Sequence, residues 1–182
     1  MRRLLLVALL LAAPAAVRAT VLIPIEFREL VSVSSTIVHG RIVDVRAQWI
    51  DGRRSIETFL TIEAQEYFKG GPGDTVIVRV PGGQLGRYKT IFVGAPEFHP
   101  GDEVVLFLRS YGGRVSIVGL SQGAFRVTSD RIGTRLVTSP VLMGKSSGET
   151  ETVVRGDLTR RPLAVGAFGD LVRKIVAGGG AQ

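Results

Sequence analysis

From Ile37 to Val137 the chain is a succession of short apolar segments, some alternating and some continuous, broken at intervals by clusters of Gly, Pro and Asp. That pattern constrains it to an all-β domain. Side chains of a strand point alternately to opposite faces, and the glycine and proline clusters supply the turns between strands. Val104-Val105-Leu106-Phe107-Leu108 is apolar at every position, as a strand covered on both faces requires, and is predicted to be the centre of the core.

The remaining strands follow the same logic. In Ile37 to Arg46, Val38, Gly40 and Ile42 share one face before Val43 and Val45 take over. A change of phase beside a glycine predicts a β-bulge that bends the strand to serve both sides of a small barrel. Asp51-Gly52-Arg53-Arg54 turns the chain back into a strand from about Ile56 to Tyr67, with Leu60, Ile62 and Ala64 inward. The outer positions of that strand carry Glu57, Glu63 and Glu66, where acids are solvated. The turn cluster Lys69 to Asp74 makes a hairpin with Thr75 to Val80, whose inward residues are Val76, Val78 and Val80, and Pro81-Gly82-Gly83 ends it. Between Gln84 and Phe98 only Ile91-Phe92-Val93 resembles a short strand, so the stretch reads as a long excursion across one mouth of the barrel. After the turn at Pro100-Gly101-Asp102 and the central strand, Val115 to Val118 and Gly123 to Thr128 supply the last strands, with Phe125 and Val127 inward. Ser129 to Arg161 is polar, with Ser146-Ser147-Gly148-Glu149 expected to be a mobile loop.

Helical signals flank the strands. Pro24 opens a short helix in which Phe27, Leu30 and Val31 recur at helical spacing until Ser34-Ser35 interrupts. Near the other end Phe168, Leu171, Val172 and Ile175 follow the i, i+3, i+4, i+7 spacing, and Gly178-Gly179-Gly180 stops the helix.

The first nineteen residues read as an export signal: Arg2 and Arg3, an apolar run from Leu4 to Ala16, and Val17-Arg18-Ala19 as a small-x-small cleavage site. The mature protein is expected to begin at Thr20 and to be a single domain, with its core at about 35–137 and an extension and helix at 138–178. The apolar run falls short of the ~20 residues that cross a bilayer, so no transmembrane segment is expected in the mature protein. The chain has no cysteine, which removes disulfides, thiolate chemistry and a lipidated N-terminal cysteine. A periplasmic or extracellular protein without a lipid anchor is the expectation.

The whole chain carries a net charge of +7. Three of its 23 cationic residues leave with the signal, so 20 face 16 acids, a net +4. The cations are scattered among acids rather than gathered on one segment, which argues against a nucleic-acid surface. No constellation commits the chain to a reaction. His39 and His99 could be grouped with Asp44, Glu97 or Asp102, but they lack the close spacing of a metal site. His39 reads as a surface residue or a packed histidine with one satisfied nitrogen. Gly119-Leu120-Ser121-Gln122-Gly123 is out of register for a nucleophile elbow and reads as a hairpin closure. Pro81 to Gly86 lacks the Gly-Lys-Ser/Thr ending of a phosphate loop. No catalytic residue, metal or cofactor is therefore expected. The remaining candidate is the excursion itself, where Arg87, Tyr88, Lys89, Phe92 and Phe98 set aromatic rings beside cations. Such a surface could stack on a sugar or base or anchor a protein; alternatively, Phe92 and Phe98 seal the end of the barrel.

Three phrases carry a family resemblance: Ser35-Thr36-Ile37-Val38-His39-Gly40-Arg41-Ile42-Val43, Tyr67-Phe68-Lys69-Gly70, and Gly101-Asp102-Glu103-Val104-Val105-Leu106-Phe107-Leu108. Across about Ser35 to Phe125 the chain resembles a group of uncharacterised exported bacterial proteins in which these phrases recur in this order. More distantly, it is similar to netrin-like and tissue-inhibitor-of-metalloproteinase domains. The resemblance implies a mainly β fold, an OB-like antiparallel barrel of five to six strands with short flanking helices, and a binding role. The metalloproteinase inhibitors occupy the enzyme's metal with an N-terminal cysteine, and this chain has none, so that mechanism is not carried over. The expectation is a non-enzymatic exported module for a protein partner or cell-envelope component. The alternatives are an inhibitor or companion of an exported protease, and an oligosaccharide or polyanion binder.

Overall fold

The computed structural model describes residues 24–140 and 161–179. The expected signal at 1–19, the start at Thr20 and the loop Ser146 to Glu149 lie outside the described residues. Helix α1 (Phe27–Val33) leads into β1 (Thr36–Ile50), β2 (Ser55–Lys69), β3 (Thr75–Pro81), β4 (Gly83–Leu85), β5 (Tyr88–Thr90), β6 (Glu103–Tyr111) and β7 (Arg114–Ile117). A 3-10 turn (Leu120–Gly123), β8 (Ala124–Ser129), β9 (Arg135–Thr138), β10 (Leu163–Ala164) and α2 (Val165–Gly179) follow. No described helix is long and apolar enough to cross a membrane.

Eight strands form one sheet in the order β1-β2-β3-β7-β6-β8-β9-β10, and β1 also pairs with β6. That extra pairing closes β1, β2, β3, β7 and β6 into a barrel-like ring of five strands. The expectation of an antiparallel barrel is corrected at one seam, because β3 and β7 run parallel and meet at Arg79 and Ser116. The reason is geometric: strand direction cannot alternate all the way round a ring with an odd number of members.

β6 separates two cores. Val104, Leu106 and Leu108 pack with Val38, Ile42, Leu60, Ile62 and Val78 among the ring strands. Val105 and Phe107, one residue out of phase, pack with Leu30 and Val31 of α1 and with Phe168 and Val172 of α2. All five residues from Val104 to Leu108 are fully buried, as their continuous apolarity predicted. Phe27, Phe107, Phe125 and Phe168 meet edge-on or tilted at 5.2–6.4 Å between ring centroids, geometry that the aromatic quadrupole favours. Phe125 and Val127 thus face the second core, under the helices, and not the ring interior.

The expected bulge is present, and its position explains the phase change. Ile42 pairs with Ile62 and Asp44 with Thr61, leaving Val43 without a partner in β2. Val43 itself is exposed, which corrects its expected inward position, and Val45 resumes packing on the ring core. Gly40 lies where β1 is paired on both sides. A Cβ there would come within 2.9 Å of Ile62 Cγ2 and closer still to the carbonyl oxygen of Glu63. Only glycine admits that approach.

Three more expectations are corrected. The stretch from Gln84 to Phe98 is not a featureless excursion: β4 and β5 pair as a small hairpin, and Ile91-Phe92-Val93 forms no strand but follows β5. Gly86, with φ at 60°, makes the two-residue turn possible, and so short a hairpin has too few residues to display an alternation. Gly119 to Gly123 closes no hairpin, because β7 and β8 each pair with β6 rather than with one another. The polar stretch after Ser129 contains β9, an extension of the sheet beside β8; it has a single pair of apolar residues, Leu136 and Val137, to announce it.

Candidate functional site

The β1–β2 hairpin and the β4–β5 hairpin lie side by side. A Cβ on Gly83 would sit 3.5 Å from Ala47 and 3.3 Å from Ile56 Cγ2, and two positions further along, Trp49 and Tyr88 meet edge-on at 5.4 Å. Both hairpins therefore advance in the same direction, and their turns, Asp51 to Arg54 and Gly86-Arg87, are at the same end. Arg87 donates from Nη2 to the Tyr88 hydroxyl at 2.9 Å and stacks over the Tyr88 ring. The positions from Gln84 to Lys89 are all exposed.

The chain then passes Thr90, whose Oγ1 accepts from the Ile56 amide at 3.3 Å, and makes a turn in which the Ala95 amide donates to the Phe92 carbonyl at 3.1 Å. Gly94 at φ 84° occupies the third place of that turn, the position that a type II turn reserves for glycine. The Gly94 carbonyl accepts from the Ser121 amide at 3.0 Å. This bracing leaves Ile91 (76 % exposed), Phe92 (51 %) and Val93 (62 %) facing outward together.

Of the five residues singled out in the sequence, the structure brings Arg87, Tyr88 and Lys89 together on the hairpin, sets Phe92 three residues past Lys89, and separates Phe98. Phe98 is only 8 % exposed, belongs to the ring core and lies under the Arg126 guanidinium at 5.6 Å. It seals the ring, whereas Phe92 does not. Trp49 belongs to the aromatic surface although no local pattern pairs it with Tyr88, 39 positions away; only the lateral packing of the two hairpins joins them.

A second polar cluster lies where the three resemblance phrases meet. His39, almost fully buried, contacts Glu103 Oε1 through Nε2 at 2.7 Å and stacks parallel to Phe68. Arg135 Nη1 is 3.1 Å from the same carboxylate oxygen, and Arg41 Nη2 is 3.7 Å from the other. The histidine is thus packed with a satisfied nitrogen rather than on the surface. Lys69 donates from Nζ to the carbonyls of Val31 (2.8 Å) and Ser32 (3.1 Å), capping α1, and burial holds its ammonium pKa below the usual lysine value. A Cβ on Gly70 would lie 2.8 Å from the Ser35 carbonyl oxygen. Gly101 donates to the Ile42 carbonyl at 2.7 Å. These phrases therefore hold strands and a helix together.

Around Asp102, burial raises the carboxyl pKa, but the His99 amide (3.0 Å) and the Arg126 guanidinium (2.8 Å) outweigh it and leave the carboxyl below the ordinary value. Arg126 borders a groove of about 310 Å³ lined also by Phe98, Ser121 and Thr138. Glu57 and Glu66 are paired rather than simply solvated: Arg79 Nε reaches Glu57 at 2.7 Å and Arg173 reaches Glu66 at 2.9 Å. Among the described residues there is no group of three or more His, Cys, Asp or Glu placed to hold a metal ion, and no buried polar side-chain atom is left without a partner. No family model, curated protein or solved structure matches this chain.

Proposed function

We propose that the chain is an exported, non-enzymatic binding module that recognises a protein partner or another component of the cell envelope through the β4–β5 hairpin and the turn after it. The observation that carries this reading is the braced run of exposed aromatic, aliphatic and cationic side chains from Leu85 to Val93. Large apolar groups held outward by a fixed backbone are typical of interaction surfaces. The polar clusters elsewhere support the non-enzymatic part, since their charged groups are engaged with one another across strands. An OB-type barrel is part of the proposal. It is supported by the ring order β1-β2-β3-β7-β6 with a parallel seam between β3 and β7, and by the netrin-like resemblance of the three phrases. The leader-like first nineteen residues support export.

The test is capture from envelope and culture-supernatant extracts by the native protein and by a variant carrying Arg87→Ala, Tyr88→Ala and Phe92→Ala. A partner held by the first and lost by the second is the expected result. Equal capture by both removes the hairpin from the function. A second reading, inhibition of an exported protease, is favoured by one observation: the turn at Gly86-Arg87 is an exposed loop tip of a kind that enters an active-site cleft. It predicts that Arg87→Ala weakens inhibition, and it falls if no exported protease is inhibited.

A further inference from the structure

We propose that the envelope component recognised by this surface is an anionic lipid bilayer, with Phe92 and Val93 entering the boundary between headgroups and acyl chains while Arg87 and Lys89 hold lipid phosphates. The inference deepens the reading above and rests on the same surface.

Ile91, Phe92 and Val93 are consecutive, so no single strand face or helix stripe could bury all three. The backbone around them is fixed at both sides, by Thr90 on β2 and by Gly94 on the 3-10 turn, which keeps them from folding back into the core. An apolar tip held outward in this way is suited to shallow insertion, where affinity follows the apolar area removed from water and the attraction of cations to anionic lipids. Trp49 and Tyr88 meet edge-on along the adjoining hairpins, and such amphipathic rings are the residues that favour the headgroup level of a bilayer.

Charge selects the occupant. Asp44 is engaged by Arg46 and Glu57 by Arg79, leaving Asp51 as the acid of the two hairpin turns against Arg53, Arg54, Arg87 and Lys89. The same face of a second copy would set cation against cation. A saccharide is held by hydrogen-bonding side chains, and Ile91-Phe92-Val93 offers none. Anionic headgroups complement the cations, and the acyl boundary accepts the apolar turn.

Trp49 is the single tryptophan of the chain, so its emission reports this surface directly. The experiment uses the purified protein in the form in which it accumulates in cells, with vesicles of phosphatidylcholine alone or mixed with phosphatidylglycerol. Expected are co-sedimentation with the anionic vesicles and a blue shift of Trp49 emission. Phe92→Ser with Val93→Ser should weaken binding about tenfold or more. Arg87→Glu with Lys89→Glu should weaken it at least as much, at about fivefold for each cation removed. Circular dichroism and unfolding midpoints of both variants should match the native protein, since neither pair is in a core. The proposal is overturned if the native protein binds neither vesicle, or if moderate salt releases it completely and the Phe92, Val93 variant binds as well as the native chain. If a protein partner is captured through the hairpin while vesicles are not bound, the lipid inference falls and the binding-module reading stands; failure of both capture and vesicle binding removes both.

Discussion

His39 Nε2 lies 2.7 Å from Glu103 Oε1, joining the start of β1 to the start of β6 where those strands pair between Arg41 and Glu103. The imidazole is buried and has Phe68 stacked parallel to it, while the carboxylate also receives Arg135. Burying a histidine is tolerable only with its polar edge satisfied, and here one carboxylate serves a histidine and an arginine from two different strands. Glu103→Ala is expected to destabilise the protein by about 1–3 kcal/mol, the usual range for a buried polar group that loses its partner. His39→Phe should cost less, because Glu103 keeps Arg135. Urea unfolding of the two single variants and the double variant measures the coupling; strict additivity would show that the pair contributes nothing.

Gly40→Ala should be among the most damaging small substitutions in the chain. The added methyl would meet the Glu63 backbone and Ile62, neither of which moves without disturbing the β1–β2 ladder. The expected loss is about 2 kcal/mol or more, in the range of overpacked cores. Gly52→Ala is the control. Its φ is 64° but a Cβ there meets nothing within 4 Å, so only the left-handed strain of about 1–2 kcal/mol applies. Equal thermal midpoints for the two variants would contradict the assigned contact.

Much of this fold is legible in the sequence because burial there follows simple periods. Val104 to Leu108 is continuous because β6 is covered on both faces, and Val76, Val78 and Val80 alternate because β3 is covered on one. The features that escape are lateral. Nothing near Trp49 announces Tyr88, and the β4–β5 hairpin is too short for a period to emerge. The parallel seam depends on ring closure, which no local pattern encodes. Phe92 and Phe98 are alike as residues, yet one is exposed and the other sealed under Arg126, because Phe98 lies close to the Gly101 and Asp102 backbone contacts with β1 and Phe92 opens the outward-facing Gly94 turn. Three segments far apart in the sequence, around His39, Phe68 and Glu103, meet through the His39–Glu103 contact and the Phe68 ring parallel to His39, a junction that no local period announces.

Lys69 ties the end of β2 to the last carbonyls of α1. A seven-residue helix has little stability of its own, so this cap should govern how readily it frays. Lys69→Met keeps the apolar stem and removes the donor. The expected cost is about 1 kcal/mol, together with faster hydrogen exchange at the Leu30 amide, which donates to Glu26, and unchanged exchange in β6. Unchanged exchange in α1 would show that its packing alone holds the helix.

Asp102 gives the stability a specific pH dependence. Its carboxyl pKa is lower in the folded protein than in the unfolded chain, so the folded state favours the ionised form. The corresponding stability is present above the unfolded pKa of about 3.9 and is lost as the pH falls through the folded value. Both Asp102 and Arg126 are partly open to solvent, which keeps the contribution below about 1 kcal/mol. Asp102→Asn should therefore be less stable than the native protein at pH 7, with the difference shrinking on acidification below about pH 4. Urea midpoints across that range decide it, and a difference independent of pH would assign the effect to hydrogen-bond geometry instead of charge.

Tyr88 contributes in two separable ways, through its ring edge against Trp49 at 5.4 Å and through its hydroxyl as acceptor from Arg87. Tyr88→Phe keeps the ring and loses the hydroxyl, so Trp49 emission should be unchanged and stability should move by less than about 1 kcal/mol, as expected of one exposed hydrogen bond. Tyr88→Ala removes the ring, which as an aromatic pair is worth about 0.5–1.5 kcal/mol, and should expose Trp49 to water, with a red-shifted emission and stronger acrylamide quenching. The β1–β2 ladder continues past Trp49 to Ile50 and Ser55 through its own pairing, so the five-strand ring should remain folded. Identical Trp49 emission in the native and Tyr88→Ala proteins would mean that the two hairpins do not rest against one another in solution.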